Sequence, residues 1–302
     1  MDSVSLVAAN GPAAPTGPNQ ARRCLVSVHA HPDDEASKGP ATVAHYASIG
    51  VRCVLVCCTG GEEGDILNPA MDRPEVRSRL AEVRREELAK AAAIIGYSEV
   101  IWLGYRDSGM AGCTTNDNPA CFARADTAAA TGRLVEILRR ERPQVVIIYA
   151  DDQEGYPHPD HLRVHEIGLA AYEACGDPSA FAQAGPLWMP AKLYYSAWNR
   201  ASYRAMHQRF IEAGLESPFS EDWLGRSGLD DRVTTAITVA EGNHIRRAAL
   251  RAHATQIDPA SPFWFADPPG RNLDSTDHYI LARSAVGPVS GERLEQDLFA
   301  GI

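Results

Sequence analysis

The sequence is short of positive charge: 29 Lys and Arg stand against 39 Asp and Glu, a formal net charge of −10 at neutral pH. That balance argues against general affinity for nucleic acid or anionic membranes, while leaving room for a local basic patch. No apolar run is long enough to cross a bilayer. The first twenty residues have neither a basic start nor a long apolar core, so they do not look like a secretory signal. Rich in Ala, Pro, Gly and Asn, residues 1–21 are expected to form a disordered lead. The cysteine count, seven, is odd. Cys113 and Cys121, in a Gly/Asn/Pro-rich stretch, are the pair to watch for a disulfide, but they lack the spacing of a structural zinc site. Cys24, Cys53, Cys57 and Cys58 fall in strand-like apolar runs, as buried free thiols of a cytoplasmic protein do.

What is present is 302 residues of ordinary globular composition, 45% hydrophobic and 23% charged, enough for one large domain or a domain with an extra lobe. Strand and helix patterns alternate, and no internal repeat stands out. Strands are expected over Cys24–Val28, Arg52–Cys58, Val100–Leu103 and Val145–Tyr149, the second and fourth being continuous apolar runs of the kind covered on both faces. Helices are expected over Glu35–Ile49, closed by Gly50, over Pro74–Ile95, over Thr127–Arg140 with Asp126 as N-cap, and from Pro159 to about Ala174. Gly104–Ala125 reads as loop. The pattern implies an α/β fold: a Rossmann-like, mostly parallel sheet with helices on both faces. The remainder is less regular, with strands at Lys192–Ser196 and Val233–Val239, helices at Ala201–Ala213 and Asn243–Ala254, and a Pro- and aromatic-rich loop at Pro259–Arg271. Residues 22–302 are thus expected to form a single catalytic domain, in which a smaller C-terminal α+β part, from about residue 185, completes the core and lines the cleft.

Two clusters carry chemistry. His31-Pro32-Asp33-Asp34-Glu35 follows the first strand, and Tyr156-Pro157-His158-Pro159-Asp160-His161 follows the fourth. Both join imidazole and carboxylate at a strand-to-helix junction, where open α/β sheets place their ligands. Adjacent carboxylates at a turn point in different directions. One, Asp34, can bind a divalent metal together with His31, while Asp33 faces the attacking water as a base. His161, in the first turn of its helix, can be the third ligand, leaving the open position of a catalytic site. His158, tied to Asp160, can serve as acid or electrophile, and Tyr156 can donate to an oxyanion. His165 and His29 compete weakly as ligands; core packing suits them better. The ligand set fits zinc, and iron(II) as well.

The same residues resemble the LmbE-like (PIG-L) family of metal-dependent sugar de-N-acetylases and amidases. Thr59-Gly-Gly-Glu62, Val83-Arg-Arg-Glu-Glu-Leu88, Gly104-Tyr-Arg-Asp-Ser-Gly109 and Ala252-His-Ala-Thr-Gln-Ile257 agree with it, so the resemblance covers about residues 22–300. Lys38 and the Leu215-Glu-Ser-Pro218…Asp222-Trp223 stretch are similar to the branch of amidases acting on mycothiol S-conjugates rather than to the related deacetylases. The resemblance implies that His31, Asp34 and His161 bind zinc, that Asp33 is the general base, that His158 is oriented by Asp160, and that Tyr156 helps hold the oxyanion. It also implies that Arg84 and Asp107 bind sugar and inositol hydroxyls. From the residues alone Arg84 reads as a solvated helix face and Asp107 equally as a turn former. Lys38 is expected as a cation near the thiol-conjugate end of the cleft, though an exposed first-turn lysine fits equally. Gln256 is expected to approach from the C-terminal part, and Phe263-Trp264-Phe265 to wall the group on sulfur or, equally, to pack in the core. The implied substrate is a small thiol–sugar conjugate; the alternatives are deacetylation of N-acetylglucosaminyl-inositol or, in another class, metal and sugar binding without turnover. A thiol-conjugated intermediate of secondary metabolism is a variant of the first. No nucleic-acid or membrane partner is implied, and a homo-oligomer is open.

Overall fold

The computed structural model describes residues 23–151, 156–225, 229–265, 274–287 and 294–302. The expected lead, residues 1–21, lies outside these, as do residues 266–271 of the expected Pro-rich loop. In chain order the elements are β1 (Cys24–His29), α1 (Asp34–Ser37), α2 (Pro40–Ser48), β2 (Arg52–Thr59), α3 (Pro74–Arg77), α4 (Leu80–Ile95), β3 (Glu99–Tyr105), α5 (Thr127–Glu141), β4 (Val145–Tyr149), α6 (Pro159–Cys175), β5 (Lys192–Ala197), α7 (Arg200–Glu212), α8 (Glu221–Leu224), β6 (Thr235–Val239), α9 (Asn243–Ala252), α10 (Pro262–Phe265) and β7 (Ser275–Ser284).

The strands make one sheet in the order β3-β2-β1-β4-β5-β7-β6. The β3-β2-β1-β4-β5 ladders are parallel, while β7 lies antiparallel between β5 and β6. The chain leaves β1 in one direction to build β2 and β3 and returns to its other side to build β4 and β5. The crevice at this reversal is where such sheets bind ligands. Because side chains alternate along a strand, Val26, Val28, Val54 and Val56 bury one face under Leu134 and Leu138 of α5 and Val164 of α6. Leu25, Cys53, Leu55 and Cys57 bury the other under Val43 of α2, Leu88 of α4 and Leu250 of α9. Each fully buried Val or Leu contributes about 1.5–3 kcal/mol of transfer free energy. The fold is therefore α/β with helices on both faces. Asp126 caps α5, accepting from the Ala129 amide at 2.7 Å. At Gly168 an added Cβ would stand 2.8 Å from Ile148, so this glycine sets how closely α6 approaches β4.

Three expectations differ from the structure. The helix expected over Glu35–Ile49 is two helices, broken where Gly39 takes φ 88° and Pro40 restarts the turn. A Cβ at Gly39 would lie 2.5 Å from the Tyr279 hydroxyl, so glycine is required there both for conformation and for space. The helix expected over Pro74–Ile95 is likewise divided into α3 and α4. Finally, β7 was not expected. Its buried face begins Ser275, Asp277, Tyr279, too polar to produce an apolar alternation. All seven cysteines are free thiols, Cys113 exposed and Cys121 buried.

Candidate metal centre

β1 delivers His31, and the turn after it is held from both sides. The Thr59 amide and hydroxyl both donate to the Ala30 carbonyl, at 2.9 and 3.0 Å. The His31 amide donates to Asp34 Oδ2 at 2.9 Å. Between them Asp33 takes φ 106°, a conformation costly for a residue with a Cβ. It is fixed by Glu35, whose Oε2 accepts the Asp33 amide at 3.0 Å. Glu35 Oε1 in turn lies 2.6 Å from His253 Nε2, with both side chains fully buried. Gln256 Nε2 stands 3.4 Å from the other nitrogen of that ring.

Donor atoms of His31, Asp34 and His161 lie within 4.8 Å of one another, and so do those of His31, Asp107 and His158. Asp34 Oδ2 is 3.4 Å from His31 Nδ1 and 3.5 Å from His161 Nε2. Neither ring nitrogen of His161 has a hydrogen-bond partner among the described residues, although the ring is buried. A buried, unsatisfied imidazole is costly, and a cation between it and Asp34 removes that cost. Burial pushes the His161 imidazole down to about 3, leaving it neutral as a ligand must be. Burial alone would also lower His31, but Asp107, Asp160 and Asp34 around it outweigh burial and hold it well above its ordinary value. So much carboxylate about one ring favours a positive charge at this point. The residues present therefore fit a divalent metal. Asp33 stands outside both donor groups. Burial, and then the neighbouring Asp34 carboxylate, push its carboxyl up to about 7.

The second cluster opens α6. His158 is the N-cap, its Nδ1 accepting the Asp160 amide at 3.2 Å. That bond puts the ring proton on Nε2. The expectation that the Asp160 carboxylate orients His158 is corrected: its Oδ2 lies 3.2 Å from His31 Nε2 and accepts the Ser108 amide at 3.0 Å, while Oδ1 accepts the Ser108 hydroxyl. Residues two apart at a helix start do not face each other, so Asp160 supports His31 instead. The Tyr156 ring is half exposed, with its centroid 5.2 Å from that of His161 and 5.9 Å from that of His158. His165 is turned away, with Nδ1 3.0 Å from the Tyr149 carbonyl oxygen. His29 lies beneath the site, 3.1 Å from the Tyr149 hydroxyl.

Arg84 is no solvated helix face. It is 1% exposed and donates to the carbonyls of Gly61, Gly64 and Asp65, clamping that loop. Asp107 is both turn former and site residue: Oδ1 accepts the Gly109 amide at 2.9 Å and stands 3.4 Å from His31 Nε2, while Oδ2 accepts the Glu63 amide at 3.2 Å. The Lys38 ammonium sits on Asp34 Oδ1, 5.3 Å from the centre of the Tyr149 ring. Gln256 is buried behind His253 rather than beside the donor atoms. A cavity of about 340 Å³ opens on Asp33, Asp34, Lys38, Tyr156 and His161, with Trp198, Phe263 and Trp264 on its far side. Phe265, by contrast, packs under Arg251. Sequence reasoning gave no role to Tyr149, Ser108 or His253, although the last two lie inside the Gly104–Gly109 and Ala252–Ile257 stretches it singled out. Tyr149, the last residue of β4, was visible as a strand end; His253 was hidden in the Ala-rich end of an expected helix.

The sequence profile described as GlcNAc-PI de-N-acetylase, PIG-L, matches residues 26–172. The mycothiol S-conjugate amidase of Streptomyces coelicolor is 43% identical over 92% of this chain and 97% of its own length. A 1D-myo-inositol 2-acetamido-2-deoxy-alpha-D-glucopyranoside deacetylase of Frankia casuarinae is 41% identical over 96% and 97%. Among solved structures, the N,N'-diacetylchitobiose deacetylase of Pyrococcus horikoshii superposes with a TM-score of 0.58 at 16% identity, over 85% of this chain and 84% of that one. With relatives this similar along nearly the whole of both chains, and the profile spanning β1 to α6 with both clusters inside it, the chain belongs to the PIG-L (LmbE-like) family.

Proposed function

We propose that this chain is a zinc-dependent amidase that hydrolyses the amide joining an N-acyl-cysteine, substituted at sulfur, to glucosaminyl-inositol. The reaction class, hydrolysis of an amide C–N bond, is the one its relatives' names share. The observation that carries the reading is the pairing of a buried imidazole with no hydrogen-bond partner among the described residues, His161, with a carboxylate outside the donor set, Asp33. A pure binding site has no use for that second carboxylate. His31, Asp34 and His161 would hold the metal, zinc or iron(II). When bound, it supplies Lewis acidity and lowers the pKa of water.

The chain's own groups do the rest. Asp33 takes the proton of the attacking water as its oxygen adds to the amide carbon. A carboxyl held near neutrality suits that transfer and its reversal. His158 Nε2–H and the Tyr156 hydroxyl donate to the oxygen as negative charge develops on it. The C–N bond then breaks, with the proton that Asp33 took from water returned to the leaving nitrogen by Asp33 acting a second time, while the neutral His158 ring, its Nδ1 accepting the Asp160 amide, gives only a hydrogen bond. Asp160 keeps His31 in place. Arg84 and Asp107 shape the loops at the sugar end, Arg84 through the carbonyls it clamps, and Lys38 marks the opposite end. Gln256 acts only through His253. Residues 22–302 serve as one catalytic unit. No helix among the described residues is long and apolar enough to cross a membrane. The free thiols and the small-molecule substrate of this reading suit a cytoplasmic enzyme.

The second reading is deacetylation of N-acetylglucosaminyl-inositol, which the Frankia relative's name favours. Side-by-side kcat/KM on that sugar and on an S-substituted cysteinyl conjugate separates the two. The conjugate is expected to win by 10-fold or more, chelation to abolish both activities and zinc to restore them. Full turnover by metal-free protein rejects the metal reading, and a preference for the acetyl sugar rejects the amidase reading.

A further inference from the structure

Beyond Lys38 the cleft does not end. A second cavity, of about 630 Å³, shares Ser37, Lys38, Ser196, Trp198, Phe263 and Trp264 with the first and extends between α7, α9 and β7. By itself it has the volume of a pocket for a drug-sized ligand. An acetyl group on the amine would leave it unused. We propose that this annex is the subsite for the group on sulfur, and that it takes a neutral, planar aromatic or polycyclic substituent. The assignment rests on the amidase reading above.

Two features of the walls argue for that occupant. The first is aromatic. Trp198 and Trp264 meet edge to face with centroids 6.4 Å apart, and Phe263 meets Trp264 the same way at 4.7 Å. Both contacts are near-perpendicular, and all three rings are only half buried, so ring surface is left for a guest to stack on. The second is that two of the basic side chains lining it, Arg246 and Lys38, are already paired with acids, and that the remaining charged ones, Arg209, Glu212 and Asp274, bring two acids against one base. Arg246 donates to the Ser37 carbonyl and lies 2.6 Å from Asp277 Oδ1, while Asp277 Oδ2 accepts the Thr42 amide and hydroxyl. Lys38 is held on Asp34. A phosphate or carboxylate substituent would have to break these pairs, whereas a neutral one need not.

The direction is also right. The loops clamped by Arg84 and anchored on Asp107 reach the donor atoms from the side of His31 Nε2, whereas Lys38 meets Asp34 from the other carboxylate oxygen. With the sugar end on the Asp107 side, as the reading above has it, the acyl end would lie toward Lys38 and so toward the annex.

The test compares wild type with Trp264→Ala and Ala201→Phe, the second narrowing the annex from α7, on two cysteinyl-glucosaminyl-inositol conjugates that differ only in carrying S-methyl or S-naphthylmethyl. The naphthylmethyl-to-methyl ratio of kcat/KM is expected to fall about 10-fold in each variant, through KM, the size of effect one lost aromatic contact gives. A ratio unchanged in both variants, with both conjugates still hydrolysed, overturns the annex assignment and leaves the amidase reading standing. An equal loss on both substrates also overturns it. Wild type that hydrolyses neither conjugate removes the amidase reading and the annex with it.

Discussion

Around Asp33 the cleft is polar and closed, whereas around Trp264 it is aromatic and half open. At the inner end buried charges meet charged or hydrogen-bonding partners: Glu35 meets His253, Asp160 meets His31 and Ser108, and both oxygens of Glu87 accept from the Thr255 amide and hydroxyl. At the outer end Tyr203, Phe219, Trp223 and Phe263 touch mainly through ring edges and faces, with centroids 4.9–6.2 Å apart. Paired buried charges permit a single arrangement, because any other leaves a charge without a partner. Aromatic contacts tolerate sliding and tilting at small cost. The contrast matches the two tasks of the proposed reaction. Proton transfer needs positions held to a fraction of an ångström, and the variable end of a substrate needs walls that adapt.

Substitutions at each end put that contrast at risk. Asp33→Asn should have the largest effect, lowering kcat by about 10³-fold or more with metal content unchanged, since general-base catalysis contributes roughly 10²–10⁴. Turnover by this variant close to wild type would remove Asp33 as the base. Glu35→Gln should come next. It strips His253 of its buried counter-charge, and unfolding in urea should show a loss of about 3–5 kcal/mol. The sign with pH follows from His253. Burial opposes its charged form, but Glu35 raises its pKa above the ordinary 6.5. The stabilisation is therefore complete below that ordinary value and fades as pH rises through the raised one. Wild-type Tm should fall across that window and that of Glu35→Gln should not. Phe219→Ala should have the smallest effect, about 1–2 kcal/mol, because the ring is only half buried. Equal losses for Glu35→Gln and Phe219→Ala would mean that the two ends are not built differently.

The sequence made the inner end legible in its outline. The apolar strands, the Asp126 cap and the two clusters at strand ends all rest on local signals, which chain order preserves. What escaped it was the set of contacts between distant segments. His253 is one imidazole after an Ala-rich helix, and nothing near it in sequence indicates that it meets Glu35, 218 residues away. Asp160 was assigned to its sequence neighbour His158, yet the helix turn aims it at His31. Arg84 lies among charges of α4, of which Glu82, Arg85, Glu86 and Lys90 face solvent, and only the carbonyls of a loop about 20 residues earlier explain its burial. The break at Gly39-Pro40 did carry a local signal, but the apolar pattern on both sides of it masked the two residues.

The order of strands has a consequence for how the site comes into being. His31 and Asp160 are 129 residues apart in the chain yet sit at the ends of adjacent strands, with Leu25 of β1 in register with Val145 of β4. Neither half of the donor set binds a metal well alone, and β1 and β4 cannot pair until the intervening β2, α4, β3 and α5 have been accommodated. Contacts of such separation form late in folding. On the proposed metal reading, the donor set is complete only once β1 and β4 have paired, so metal uptake by the refolding chain would follow closure of the centre of the sheet.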